Sequence, residues 1–141
     1  MLIVDDQESV RVTLDYLLGL AGYRVLTAAS GAEAIAIAER ETVDGAIIDI
    51  HMPVMTGFDA CERLRSLASA GNRSLKVWFM SGAVSREAKM RGSELGGLAV
   101  FSKPFDPEEL TRRLEEDLSH SPDPSVLPAR ETTVDNADMV S

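Results

Sequence analysis

Five short apolar runs, separated by longer stretches with helical spacing, constrain this chain more than any other feature. The runs lie at 2–4, 24–29, 43–48, 75–80 and 98–101. They are nearly continuous rather than alternating, which suits strands buried on both faces. Between them Val10, Leu14, Leu17, Leu18 and Ala21 share one helical face. Ala32, Ile35, Ala36 and Glu39 open a second helix, with Ser30 and Glu33 placed as a capping box. Cys61, Leu64 and Leu67 recur at three. The stretch 84–94 is polar on most faces and has the faintest period. The last helix has clear start signals: Asp106 as N-cap, Pro107 in the first position and Glu109 to complete an acidic box. Leu110, Leu114 and Leu118 then recur at four. Strands alternating with helices close into right-handed crossover units. The expected fold is therefore α/β, a doubly wound five-stranded parallel sheet with helices on both faces.

The chain has 141 residues, room for one domain. Hydrophobic residues make up 45%, enough to bury a core. Composition changes near 118. The stretch 119–141 holds three of the six prolines and no aromatic residue, and it lacks any period. We expect a folded domain over 1–118 and a disordered acidic tail over 119–141. With 14 Lys+Arg against 23 Asp+Glu, the net charge is −9. That balance argues against a nucleic-acid surface or docking on an anionic membrane. It favours a cation, or a phosphate held through one. The lone Cys61 excludes an internal disulfide and a cysteine-based zinc site. The apolar run at 2–4 is too short for a signal peptide or a membrane span. A soluble protein of a reducing compartment, the cytoplasm, is expected.

In open parallel sheets, ligands bind outside the carboxyl ends of the strands. Asp5 and Asp6 follow the first run, and Asp49 follows the third. Ser81 and Gly82 follow the fourth, and Ser102, Lys103 and Pro104 follow the fifth. Any one of these could be an ordinary solvated strand end. As a group they are chemically complementary. Three crowded carboxylates ionise together only around a cation. Hard oxygen ligands with room for water suit Mg²⁺. A carboxylate can also attack phosphorus to give an aspartyl phosphate. Lys103, the Ser81 hydroxyl and backbone N–H groups after Asp49 and Ser81 could neutralise the transferred group.

This constellation resembles the receiver domain of two-component response regulators. The resemblance is carried by Asp5-Asp6, by Asp49-x-x-Met52-Pro53-x-x-x-Gly57, by Ser81-Gly82 and by Lys103-Pro104-Phe105, in register over about 1–118. It implies the flavodoxin-like strand order 2-1-3-4-5. It also implies a phosphorelay switch rather than a metabolic enzyme, with self-phosphorylation and autodephosphorylation activities. Asp49 would accept a phosphoryl group from a histidine kinase or a histidine phosphotransfer protein. Asp6 and Asp49 would bind Mg²⁺ directly, with the His51 backbone carbonyl as a further ligand and Asp5 acting mainly through water. Ser81 and Lys103 would contact the phosphoryl oxygens, and a cis bond would precede Pro104. The protein would stand alone as a receiver or be part of a longer chain. It would act on a downstream protein target, as a monomer or a weak phosphorylation-dependent dimer.

Three other functions compete with this reading. A flavin or nucleotide site would need a loop that welcomes phosphate. Here that loop reads Asp5-Asp6-Gln7-Glu8. An aspartate-nucleophile phosphatase would carry a second Asp where His51 stands. A receiver-like interaction domain that is never phosphorylated stays open as the alternative, although Asp5, Asp6, Asp49, Ser81 and Lys103 are all present. The His51 side chain is expected at the rim, Cys61 and Trp78 in the core, Met52 and Met55 packing the loop, and His120 inert. One departure from the resemblance stands out. Receivers usually place an aromatic residue three before the strand-five lysine, and here that residue is Val100. Phe101, one later, should face the other way, into the core. A bulge in strand five could bring it back to the aromatic position.

Overall fold

The computed structural model describes residues 1–119, and in them strands and helices alternate strictly. They are β1 (Leu2–Val4), α1 (Glu8–Leu20), β2 (Leu26–Ala28), α2 (Gly31–Arg40) and β3 (Gly45–Asp49). There follow α3 (Gly57–Ala70), β4 (Lys76–Ser81), α4 (Arg86–Glu94), β5 (Gly97–Ser102) and α5 (Pro107–Ser119). All strand pairs are parallel, in the order β2-β1-β3-β4-β5. This is the expected flavodoxin-like sheet. Its order reverses at β1 and β3, so connections leave on opposite faces there and open a crevice at the strand ends.

Every residue of β1 and β3 is buried, and all of β4 beyond Lys76. The edge strands β2 and β5 have one neighbour each and are only partly covered. Leu2, Val4, Ile48, Val77 and Phe79 form a continuous core with Ala34 and Ile37 of α2 and with Cys61 and Leu64 of α3. Cys61 and Trp78 are fully buried, as expected. Residues 1–111 form one compact unit, and 112–119 continue α5. The expected tail, with His120, lies outside the described residues apart from Ser119.

Helix starts follow the predicted chemistry. The Ser30 hydroxyl accepts from the Glu33 N–H at 3.1 Å, while the Glu33 carboxylate accepts from the Ala29 N–H, one residue earlier than in a standard box. Asp106 accepts from the Glu108 N–H at 3.0 Å. The faintly periodic α4 is real. Ser85 caps it, and only its small residues Ala88 and Gly92 are buried. A Cβ on Gly92 would sit 3.2 Å from the Phe79 ring and 3.3 Å from Val100, so close approach to the sheet replaces bulk there.

The second helix forms as expected, and its buried face is Ala34, Ile35 and Ile37, while Ala32 and Ala36 are exposed. Alanines fall all round this helix, and the bulky isoleucines decide which side turns inward. Ala21 caps the end of α1 and is exposed rather than lying on its buried face. Val100 and Phe101 are both half-buried, with Val100 packed against the core that includes α2 and α3, because β5 is an edge strand with incomplete cover. The β4–β5 register does contain an irregularity, between Val77 and Phe79. It precedes the site, however. Phe79 still pairs with Val100 and Ser81 with Ser102, so Phe101 is not brought to the position of Val100.

The start of α3 explains Gly57 in the β3–α3 segment. Its N–H donates to the Ile50 carbonyl at 2.9 Å. A Cβ there would overlap the Asp49 carbonyl oxygen and stand 2.9 Å from the Ile50 Cα. These are backbone atoms of the strand end and cannot rotate away. Gly57→Ala is expected to destabilise the fold by about 2 kcal/mol or more, as overpacking against rigid neighbours does. Thermal or denaturant unfolding of the purified variant checks this.

Candidate functional site

Asp49 is the last residue of β3, Ser81 the last of β4, and Asp5 follows β1 directly. Their positions are fixed by backbone bonds that extend the sheet ladders. The Asp5 N–H donates to the Ala28 carbonyl at 3.1 Å, Ile50 to Met80 at 2.9 Å and Lys103 to Ser81 at 2.9 Å. The Lys103–Pro104 bond is cis, as expected. Side chains from four strand ends therefore meet on a rigid frame.

Lys103 joins them. Its Nζ lies 2.8 Å from Asp5 Oδ2 and 3.2 Å from Asp49 Oδ2. Asp5 is fully buried and Asp49 nearly so, at 3% exposed. Asp5 Oδ1 accepts from the Gln7 N–H at 2.8 Å. Its Oδ2 has the ammonium nearby but no neighbour at hydrogen-bonding angles, so that contact is Coulombic first. Asp6 is exposed, and it lines an open pocket of about 380 Å³ with Asp49, Gln7, His51 and Lys103. Asp5 lies beneath that pocket. The Ser81 hydroxyl is buried and accepts from the Ala83 N–H at 3.1 Å. The His51 side chain is at the exposed rim, as expected, and its N–H makes a long 3.4 Å contact to Asp49 Oδ1. Met52 is buried and Met55 packs on the core.

Electrostatics follow from burial. Desolvation raises the Asp49 carboxyl above its ordinary value, and the Asp5 charge adds to it. Lys103 and the His51 N–H oppose that rise without cancelling it. Burial works against the Lys103 charge, but Asp5 and then Asp49 outweigh it and raise its value. One oxygen from each of Asp5, Asp6 and Asp49 lies within 4.8 Å of the others. Three hard oxygen donors, one of them buried without a hydrogen bond, against a single ammonium leave an excess of negative charge. That donor set fits a small divalent cation such as Mg²⁺.

Every site residue expected from the sequence lies at this one edge. The residue that sequence reasoning missed is Gln7. Its Oε1 accepts from Lys103 Nζ at 3.1 Å. It occupies the N-cap position of α1 yet makes no side-chain cap. A long amide where Ser, Asp or Asn is usual was the available signal.

Comparison with known proteins finds relatives by both sequence and fold. The family model for the response regulator receiver domain matches residues 1–115. The alkaline phosphatase synthesis transcriptional regulatory protein PhoP of Bacillus subtilis is 33% identical over 121 residues, which are 86% of this chain and 49% of that protein. Sporulation initiation phosphotransferase F of the same organism is 31% identical over 110 residues, covering 78% of this chain and 86% of that one. The chain thus spans about half the length of PhoP but most of the phosphotransferase. Among solved structures, the chemotaxis protein CheY4 of Vibrio cholerae superposes with a TM-score of 0.74 at 36% identity, covering 82% of this chain and 94% of that one. A CheY-like receiver domain protein from Methanospirillum hungatei gives 0.75 at 30% identity, covering 84% and 91%. Among the described residues no helix is long and apolar enough to cross a membrane.

The raised Asp49 value has a measurable consequence. The folded protein holds this proton more tightly than the unfolded chain does. Stability therefore falls as pH rises from the ordinary carboxylate value, 3.8, through the higher folded one. Asp49→Asn removes the buried charge and keeps the shape. In metal-free buffer at neutral pH it is expected to raise the melting temperature by about 4 °C, the scale of 1 kcal/mol in a domain of this size. The gain should shrink toward zero as pH drops below 4. Calorimetry across that pH range checks it.

Proposed function

This chain belongs to the response regulator receiver domain family, and from that premise we propose that Asp49 accepts a phosphoryl group from a histidine kinase or a histidine phosphotransfer protein. The family membership makes it a signalling domain. The observation that carries the finer reading is the placement of Lys103 against both Asp5 and Asp49, at the floor of an open pocket.

In this reading an Asp49 oxygen attacks phosphorus. The P–N bond to the donor imidazole breaks, and the imidazole leaves with its electron pair and takes up a proton. The product is an acyl phosphate on Asp49. Asp49 thereby loses its own charge, which frees Lys103 to pair with the phosphoryl oxygens. The Ser81 hydroxyl already accepts from the Ala83 N–H, so its proton is available for another of those oxygens. Asp6 and Asp49, with the His51 carbonyl, would hold Mg²⁺, and Asp5 would act through water. When bound, the ion supplies charge neutralisation for the transferred group. The site's own charge excess supports that assignment.

Output is proposed to leave through the loops at 52–56 and 83–86. Val100 is stiff and has no ring to reorient. The first of these loops holds Val54 fully exposed with φ 71°, a costly conformation for a β-branched residue.

Two outcomes test the reading. With acetyl phosphate and Mg²⁺, intact-mass measurement should show one phosphoryl group added to the wild type and none to Asp49→Asn. Labelling of that variant would remove Asp49 as acceptor. In calorimetric titration with Mg²⁺, Asp6→Ala should weaken binding about tenfold or more, the scale of one lost ligand, and Asp5→Ala by less. Equal affinities in wild type and both variants would remove the metal site.

A further inference from the structure

A lysine ammonium has three N–H donors and no acceptor. In this structure three oxygens surround the one on Lys103: Asp5 Oδ2 at 2.8 Å, Asp49 Oδ2 at 3.2 Å and Gln7 Oε1 at 3.1 Å. An ammonium cannot accept, so the amide must turn its oxygen toward it. The three partners differ in kind. Asp5 is buried beneath the pocket, Asp49 is the reacting group, and Gln7 is neutral and stands at the opening.

Gln7 is also anchored at its own backbone. Its N–H donates to Asp5 Oδ1 at 2.8 Å, and its carbonyl accepts from the first turn of α1, from the Val10 and Arg11 N–H groups at 3.2 Å each. Arg11 in turn donates to the Asp5 carbonyl at 2.7 Å. The side chain is thus carried by a fixed turn that also holds Asp5. It is free of capping work, because the N-cap makes no side-chain bond. Its reach is spent on the lysine of a different loop, 96 residues away in the chain.

From this we propose that Gln7 is the positioning residue for Lys103, holding the ammonium beside Asp49 in the lining of the pocket and so setting the rate at which Asp49 is phosphorylated. The proposal rests on the phosphoacceptor reading above and adds to it a residue outside the acidic set. When Asp49 becomes an acyl phosphate, one of the three acceptors loses its charge and its donor is released. The Gln7 hydrogen bond and the Asp5 charge still hold the ammonium, so the freed N–H stays where the phosphoryl group arrives. Without the amide oxygen the ammonium loses that hydrogen bond, and water takes the donor. The lysine then has a wider choice of positions.

The test uses Gln7→Met, which keeps length and removes the acceptor, and Gln7→Glu, which keeps an acceptor at the same reach. Two readouts are taken on the full chain. One is the rate of phosphorylation by acetyl phosphate with Mg²⁺, followed by intact mass. The other is hydrogen exchange of the Lys103 ammonium with water, followed by nitrogen-15 NMR in metal-free protein. Gln7→Met should slow phosphorylation about fivefold, the scale of one lost hydrogen bond, and speed ammonium exchange by a similar factor. Gln7→Glu should keep exchange slow. Unchanged phosphorylation in Gln7→Met overturns the proposal. So does a slowed rate with ammonium exchange unaltered, since the effect would not then pass through Lys103. If wild type is not phosphorylated at all, the phosphoacceptor reading fails and the rate-setting role falls with it. Fast exchange in Gln7→Met would still show the tether itself, and the two failures are told apart.

Discussion

The ion pairs of Lys103 are the interaction on which the rest of this structure depends. Two carboxylates that are almost wholly removed from water lose their hydration and repel each other. One ammonium, held 2.8 Å from one and 3.2 Å from the other, offsets part of their desolvation and repulsion. It does not balance them, and the exposed Asp6 widens the deficit. The site is therefore built one cation short. That deficit gives the pocket its affinity for a hard divalent ion and gives Asp49 a reason to surrender its charge to a phosphoryl group.

Such an arrangement has to be held against its own repulsion. The parallel sheet does this by carrying its hydrogen-bond ladders into the site itself. The N–H groups of Asp5 and Lys103 both donate to carbonyls of neighbouring strand ends, and so does the N–H that follows Asp49. Gly57 lets the start of α3 press against the Asp49 backbone with no side chain between them. Arg65 closes the far end, donating to the carbonyls of Leu75 and Gly96 where the chain enters β4 and β5. By contrast, Val54 stands fully exposed between β3 and α3, and α4 buries only Ala88 and Gly92. Stiff strand ends beside lightly packed connections is the distribution a switch requires.

Much of this was legible in the chain. Continuous apolar runs marked β1, β3 and β4 because strands covered on both faces have no polar side to show. The acidic pair, Asp49, Ser81 and Lys103 stood out because each follows such a run directly. The buried face of α2 is not written in its period, because alanine carries little directional information and packing is decided by Ile35 and Ile37. The half-burial of both Val100 and Phe101 follows from edge position, which is a property of the sheet and not of the strand.

The sequence alone determined the order of elements, the helix starts at Ser30 and Asp106, and the chemical kinds gathered at the strand ends, because periodicity and capping are local. Tertiary structure alone decided the distances. Only the register of β4 against β5 keeps Val100 beside Phe79 in spite of an irregularity in that pairing. Only the crossing of a 96-residue separation puts Gln7 against Lys103. Side chains from remote segments share a charge when the sheet places their strand ends side by side, and no local pattern encodes that meeting.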